Sequence, residues 1–196
     1  LSGDNGYIVT PYDQSGNGYD STQSSAASQP QIQASLVGTK YGTIHAGSQY
    51  WAVNSSVSKA NSDLFAYAVI DPQGSGKSFD SLLELNSAGR LRLYDASSNP
   101  YVGYDNNSST VNIAVRTNGP QVLSWLTDGA TMYMYRNNVL LGSGAWSGVM
   151  PGTGVFHSMM VGCFDYRSEF VLWDKLVSSV DAMSVVDNVK SFYGIV

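Results

Sequence analysis

Oxygen-bearing side chains alternate along a glycine-rich segment near the start of the sequence. Asp13, Ser15 and Asn17 stand at every second position, and Gly18 follows them. This is the order of the first half of an EF-hand-type calcium loop, whose ligands are oxygen atoms. The twelfth position of such a loop needs a bidentate Glu and is Ser24 here, so hydrogen-bonded turns are the favoured interpretation. Ca²⁺ at Asp13, Ser15 and Asn17 would need a carboxylate from elsewhere in the chain, and otherwise we expect no cofactor.

Glutamate is the second side chain considered for chemistry, because glycoside hydrolysis uses two carboxyl groups about 5–10 Å apart. The chain has only Glu84 and Glu169. Glu84 alternates with leucines, a pattern typical of a charge on the solvent side of a half-exposed strand. We therefore predict that the protein is not an enzyme and has no catalytic residue. A glycoside hydrolase ranks third among the functions considered, after the two non-catalytic functions given below.

Tyrosine is the third side chain considered for a functional role, because its flat amphipathic ring can bind sugars and protein surfaces. The chain contains 13 Tyr and 4 Trp. Several of these fall in predicted loops or on the side of a strand that faces away from the predicted core. The predicted ligand- or partner-binding residues are Tyr101, Tyr104, Tyr133, Tyr135 and Trp146. Packing of the tyrosines under a loop or a second layer is the alternative, and it is more common on general grounds.

The element that must position two of these tyrosines is Gln121–Gly144, which reads as three antiparallel strands. Asp128-Gly129 and Asn137-Asn138 favour two-residue turns with positive φ. Such turns would place Trp125 opposite Met132 and Arg136 opposite Val139. Alternation then predicts one core side of the sheet, made of Leu123, Trp125, Met132, Met134 and Leu141. The other side, which would face water or a ligand, carries Val122, Ser124, Tyr133, Tyr135 and Leu140.

The rest of the chain reads as about a dozen short strands and one late helix. Leu64–Ile70 is apolar throughout, which is typical of a central strand buried on both faces. Ser178 with Asp181 three residues later predicts the start of a helix, and Gly194 predicts its end. Apolar residues recur at three-residue spacing from Val180 to Val189. The pattern predicts an all-β, two-sheet antiparallel sandwich with one short C-terminal helix.

Length and charge narrow the function. At 196 residues and 43% hydrophobic content, the chain fits one domain spanning 1–196, with a loop-rich opening segment (1–35) packed on the sandwich. The net charge is −5 and no basic run exists, which argues against a nucleic-acid partner. The sequence contains no stretch of about 18 apolar residues, so we predict no membrane span. Only 13% of residues are charged, so the surface is polar but uncharged, as is common in secreted and virion-surface proteins.

A family resemblance rests first on the opening segment. The segment Tyr12-Asp13-Gln14-Ser15-Gly16-Asn17-Gly18-Tyr19-Asp20-Ser21-Thr22-Gln23, followed by Gln29-Pro30, resembles the opening of concanavalin A-like lectin/glucanase domains, the laminin-G-like group. Segments 82–94, 125–142 and 170–193 are similar to later parts of such domains in the same order. The resemblance implies a jelly roll. Asn138 stands where the family usually has Gly, and the Glu-x-Asp-x-Glu signature of glucanases with this fold is absent.

Domains of this kind occur in phage and other virion structural proteins and in bacterial secreted proteins. The resemblance therefore implies a non-catalytic structural or attachment module on a virion surface, as a phage tail, fibre or capsid decoration protein. Its partners would be other virion proteins or a host-surface glycan, and it could be a homo-oligomer. The alternative is a carbohydrate-binding module of a secreted bacterial protein. Either location is outside the cell.

Overall fold

The structure is a computed structural model. It describes residues 6–12, 14, 16, 18, 20–37, 40–46, 51–56, 64–72, 80–85, 89–96, 99–106, 109–115, 117–146, 153–156, 164–173 and 177–196. Among these residues, no helix is both long and apolar enough to span a membrane.

The described strands form two antiparallel sheets. Within the described ranges, the first sheet has eight strands, in the order β1 (Gly6–Tyr7), β3 (Gln31–Val37), β4 (Lys40–Ala46), β15 (Phe164–Trp173), β6 (Phe65–Pro72), β11 (Gln121–Thr127), β12 (Thr131–Arg136) and β13 (Val139–Ala145). The second, described over the same part of the chain, has seven, in the order β10 (Ser109–Val115), β9 (Asn99–Asn106), β8 (Gly89–Ala96), β7 (Asp80–Leu85), β14 (Thr153–Phe156), β5 (Trp51–Ser56) and β2 (Ser21–Thr22). A 3₁₀ turn spans Ala26–Ser28, and helix α1 spans Ser179–Tyr193. The predicted fold class, a two-sheet antiparallel sandwich with one C-terminal helix, is confirmed.

Strand β6 is buried along its whole length, as the apolar run predicted. Ala66, Ala68 and Ile70 lie in the core between the two sheets. Phe65, Tyr67 and Val69 point the other way, into a second core beneath α1. Each large apolar side chain buried in this way contributes about 1.5–3 kcal/mol. The first sheet therefore has no free face at its centre, because the second sheet covers one side and α1 covers the other.

The ends of α1 are the ones that the sequence predicted. The Ser178 hydroxyl accepts the backbone N–H of Asp181, and Gly194 closes the helix with a left-handed φ of 68°. The face that packs on the sheet differs from the predicted three-residue spacing. Ala182, Val186 and Tyr193 are buried, whereas Val180 is 72% exposed. The helix buries the stripe i, i+4, i+11, which packs against β6 and β11.

The predicted register between β11 and β12 was wrong by two residues. Trp125 lies opposite Met134, and Thr127 lies opposite Met132. The wider turn forms because the Asp128 carboxylate accepts the backbone N–H groups of Ala130 at 3.0 Å and Thr131 at 2.8 Å, in competition with a two-residue turn. A shift of two residues preserves the side-chain parity of a strand, so the same residues share each face as predicted. The expectation that Val122 and Ser124 face water or a ligand was wrong, because both are buried on the side that α1 covers.

The second turn is as predicted. Asn137 and Asn138 both have positive φ, 51° and 68°, and Arg136 lies opposite Val139. A bulge then shifts the pairing by one residue, so that Met134 faces Gly142, whereas an unbroken ladder from the Arg136–Val139 pair would place Leu141 opposite it. Leu141 still packs against the core between the sheets.

The opening segment contributes strands to both sheets. β1 pairs with β3, and β2 pairs with β5. The N–H of Ile8 donates to the carbonyl of Pro30 at 2.9 Å, and the N–H of Gln23 donates to the carbonyl of Val9 at 2.9 Å. The assignment of the whole chain, 1–196, to a single domain stays a prediction.

Two glycines allow the edge strand β13 to approach the second sheet closely. A Cβ at Gly142 would lie 3.0 Å from Cγ2 of Ile113, and one at Gly144 would lie 2.7 Å from the hydroxyl oxygen of Tyr104. That hydroxyl donates to the carbonyl of Ala145 at 2.9 Å. The glycines therefore leave room for a hydrogen bond that joins β13, at the edge of the first sheet, to β9 of the second.

We expect Gly144→Ala to lower the free energy of unfolding by about 1–3 kcal/mol, because the new methyl group must displace the buried Tyr104 hydroxyl. Urea denaturation followed by tryptophan fluorescence would measure this loss. The matched control is Ser143→Ala, an exposed neighbour on the same strand, which should change stability by less than about 0.5 kcal/mol. Equal unfolding midpoints for the two variants would contradict the proposed close contact.

Candidate functional site

Three hydroxyl-bearing side chains share the outer side of β12, the side that also carries α1. Thr131, Tyr133 and Tyr135 alternate with the buried Met132 and Met134. Alternate residues of a strand lie about 7 Å apart. We call Thr131, Tyr133 and Tyr135 the tyrosine stripe. It lies one strand from the edge of the first sheet, with only β13 beyond it.

Tyr133 is fixed in place by the turn that precedes its strand. Its hydroxyl donates to Oδ2 of Asp128 at 2.8 Å. The other carboxylate oxygen, Oδ1, accepts the two backbone N–H groups of Ala130 and Thr131. The bond from the Ala130 N–H, followed by those from Tyr133 and Thr131, lowers the pKa of Asp128. The hydrogen bond to the Asp128 carboxylate, and then its charge, raise the pKa of Tyr133. At neutral pH the site thus presents an ionised, exposed carboxylate beside a neutral phenol.

Tyr135 lies deeper than Tyr133. It packs against the core beneath α1, and burial raises the pKa of its hydroxyl. Together with Ser124, Leu126 and the helix residues Ser179 and Met183, it lines a crevice of about 10 Å³. That volume holds about one water molecule. A sugar ring does not fit inside this crevice. A ligand at this site would therefore contact Tyr133 and not the part of Tyr135 that lines the crevice.

The predicted placement of Tyr104 and Trp146 on an exposed surface was wrong. Tyr104 is fully buried and Trp146 is 6% exposed, and both lie in the core between the sheets. Their rings meet edge to face with centroids 5.8 Å apart. Burial is tolerated because the Tyr104 hydroxyl has the Ala145 carbonyl as its partner. Tyr101 lies in β9 opposite Tyr94, and its side chain lies outside the described part of the structure.

The predicted calcium ligands Asp13, Ser15 and Asn17 lie outside the described residues, so a cation at that segment stays a prediction. Gly16 and Gly18, between and after them, have positive φ of 79° and 75°. Over the part of the chain that the structure describes, no group of three or more His, Cys, Asp or Glu side chains could hold a metal ion.

The two glutamates differ in what the structure shows of them. Glu169, on β15, accepts hydrogen bonds from two tyrosine hydroxyls, that of Tyr67 at Oε1 and that of Tyr193 at Oε2, the latter at 3.1 Å. Because Tyr193 belongs to α1 and Tyr67 to β6, this carboxylate joins the helix to the sheet. The backbone of Glu84 lies opposite Arg90, and its side chain is outside the described part. Glu169 thus has a structural role in the arrangement observed.

Asp128 is the site residue that the sequence did not single out. The sequence pattern at Asp128-Gly129 indicates only a turn. The available signal is its position, because the carboxylate begins the turn and Tyr133 is an outward-facing residue of the strand that follows. An Asp whose carboxylate accepts two backbone amides of its own turn has one oxygen left for a side chain or a ligand.

No known family model matches the chain. No curated protein matches it in sequence. The concanavalin A-like and laminin-G-like resemblance therefore has no confirmation beyond the fold class.

Several solved structures share the fold. The binding domain of Paraclostridial Mosquitocidal Protein 1 matches with a TM-score of 0.68 and 12% identity, over 91% of this chain and 49% of that one. The ligand-binding domain of botulinum neurotoxin serotype D, solved in complex with N-acetylneuraminic acid, matches with a TM-score of 0.59 and 12% identity, over 93% of this chain and 50% of that one. This chain therefore spans about half the length of these toxin domains, and the match does not place the bound sugar in that half.

A third structure corresponds in size as well. Domain 4 of AbnA, a GH43 extracellular arabinanase from Geobacillus stearothermophilus in complex with arabinotriose, matches with a TM-score of 0.50 and 11% identity, over 94% of this chain and 82% of that one. At these identities the likeness shows a β-sandwich fold that this chain shares with binding domains.

The Glu169 cluster predicts a loss of stability at high pH. Burial, then the hydrogen bond to Glu169, raises the pKa of Tyr67, and burial with the Glu169 charge raises that of Tyr193. An unfolded tyrosine loses its proton near pH 10. Above that pH the folded state holds protons that the unfolded chain releases. The contribution of these two tyrosines to the free energy of unfolding is therefore constant below about pH 9 and falls as the pH rises further, by up to about 1.4 kcal/mol per pH unit for each tyrosine.

Urea unfolding from about pH 8 to about pH 11 would measure this slope. Tyr193→Phe removes one of the two titrating groups and should make the slope shallower. Tyr12→Phe is the matched control, since Tyr12 is 71% exposed, and it should leave the slope unchanged. A Tyr193→Phe variant with the parent slope would show that this tyrosine does not carry the effect.

Proposed function

We propose that the protein is a non-catalytic carbohydrate-binding module that acts outside the cell, and that Tyr133 and Asp128 are its sugar-contacting residues. The observation that carries the proposal is the exposed carboxylate of Asp128 held against the hydroxyl of Tyr133. The ring and the carboxylate are fixed relative to each other before any ligand arrives. A preorganised site of this kind loses less conformational entropy on binding.

The chemistry of the two groups suits a sugar. An aromatic ring offers a flat apolar surface with few rotatable bonds for the C–H side of a pyranose or furanose. A carboxylate oxygen accepts hydrogen bonds from hydroxyl groups, and Oδ2 of Asp128 uses only one of about two acceptor positions for Tyr133. Ser143, exposed and directly opposite Tyr133 on β13, adds a hydroxyl that can donate or accept.

The comparisons support a sugar partner over a virion partner. Two of the proteins that share the fold were solved with a bound sugar, N-acetylneuraminic acid in one and arabinotriose in the other. Nothing in the fold or in these comparisons points to a virion, a phage or a capsid. The carbohydrate-binding alternative is therefore preferred to the attachment module first expected.

We expect the full chain to bind at least one class of oligosaccharide on a glycan array, and Tyr133→Ala to weaken that binding about tenfold or more, because truncating an aromatic anchor typically costs more than 1 kcal/mol. Tyr133→Phe keeps the ring and loses the bond to Asp128, so its affinity should lie between the two. Tyr135→Ala is a poor probe because Tyr135 also packs against the core.

The matched control is Tyr7→Ala, which removes a tyrosine that is 55% exposed on the opposite edge of the same sheet. Binding that is equally weak in Tyr7→Ala and Tyr133→Ala, or unchanged in Tyr133→Ala, would place the sugar site elsewhere. Repeating the screen with EDTA tests the separate calcium prediction, because loss of binding on chelation would direct attention to Asp13, Ser15 and Asn17.

A further inference from the structure

The Tyr133 site carries a negative charge, and no cationic side chain of the described residues contacts it. Asp128 is exposed, and the described residues that donate to its carboxylate are neutral, namely two backbone N–H groups and the Tyr133 hydroxyl. We infer that this site takes uncharged sugars and discriminates against sialylated glycans. The inference rests on the proposed function and specifies the class of sugar that Tyr133 and Asp128 bind.

The cations whose side chains the structure describes are committed elsewhere. The Arg136 guanidinium donates to Oε1 of Gln121 at 3.0 Å and to the carbonyl of Val115 at 2.9 Å. Lys190, in the last turn of α1, lies 3.9 Å from Asp187. Lys40 lies 4.3 Å from the centroid of the Phe192 ring. Among these described cations, none contacts Asp128 or Tyr133.

The N-terminus of α1 does not supply a positive site either. Ser179, its first residue, lines the crevice beside Tyr135, so the positive end of the helix dipole lies near the tyrosine stripe. The Asp181 carboxylate occupies the first turn, where it accepts the Ser178 hydroxyl at 2.6 Å. A carboxylate at this position already offsets the helix dipole. The net charge of the whole chain, −5, also disfavours the binding of an anionic ligand.

Hydrogen-bond chemistry leads to the same preference. A carboxylate can only accept hydrogen bonds, and neutral sugars offer several hydroxyl donors. The carboxylate of a sialic acid cannot donate to Asp128 at neutral pH, and it repels the Asp128 charge. Two like charges about 4 Å apart in water interact strongly enough to change a binding constant about fivefold, and more strongly next to protein. The repulsion is screened by salt.

The test uses the full chain on an array of paired neutral oligosaccharides, each printed beside its sialylated form, with arabinotriose as an additional neutral probe. We expect the protein to bind neutral members of the pairs, and we expect this binding to be lost in Tyr133→Ala. At low salt, the affinity for each sialylated form should be lower than that for its neutral partner by about fivefold or more. High salt should bring the affinities for the neutral and sialylated forms closer together. Asp128→Asn, which keeps the side-chain shape and removes the charge, should also bring the ratio of these two affinities closer to one.

Asp187→Asn is the matched control, because it removes one exposed carboxylate of α1 that lies beyond the helix residues lining the crevice, and it should leave the affinity ratio of the paired glycans unchanged. Tyr133-dependent binding that is equal or stronger for the sialylated forms would overturn the inference and leave the proposed function standing. A ratio in Asp128→Asn equal to that of the parent protein would also overturn it. Absence of any Tyr133-dependent binding to the array would overturn both.

Discussion

Strand β6 is stable only if both of its faces are covered, and this requirement organises the protein. Its side chains alternate between two cores, one between the sheets and one beneath α1. A single sandwich would leave Phe65 and Tyr67 in water. The helix is therefore a structural layer, and it reaches from the β12–β13 turn, where Asn138 contacts Met183, to β4, where Lys40 contacts Phe192. Trp173 extends the same outer core, with its ring 5.0 Å from that of Phe65.

Polar contacts fix the helix on this apolar surface and give it one orientation. At one end, Glu169 joins the hydroxyl of Tyr193 to the sheet. Near the other, the side chain of Asn138 donates to the carbonyl of Met183 at 2.9 Å. Apolar burial has no direction, whereas these bonds do. Asn138 therefore has two roles, since it adopts the positive φ of the turn and also holds the helix, which a glycine at that position cannot do.

The candidate site lies where this covering layer ends. The helix encloses Tyr135 and leaves Tyr133 beside an exposed turn. Asp128 positions both the turn and the tyrosine. Its Oδ1 accepts a backbone N–H of the turn, and its Oδ2 accepts the Tyr133 hydroxyl. The widened turn that displaced the predicted register is thus the same feature that brings the carboxylate to Tyr133.

The sequence by itself determined the features that neighbouring residues encode. The double burial of Leu64–Ile70, both ends of α1 and the Asn137-Asn138 turn follow from periodicity, capping and backbone preference, which act over a few residues. Only the tertiary structure decided that Tyr104 is buried and that Asp128 holds Tyr133. A tyrosine has an apolar ring and a polar hydroxyl, so its pattern fits a core or a surface equally well. Its environment depends on which acceptor the folded chain brings to its hydroxyl, a carbonyl of the other sheet for Tyr104 and a carboxylate of the preceding turn for Tyr133.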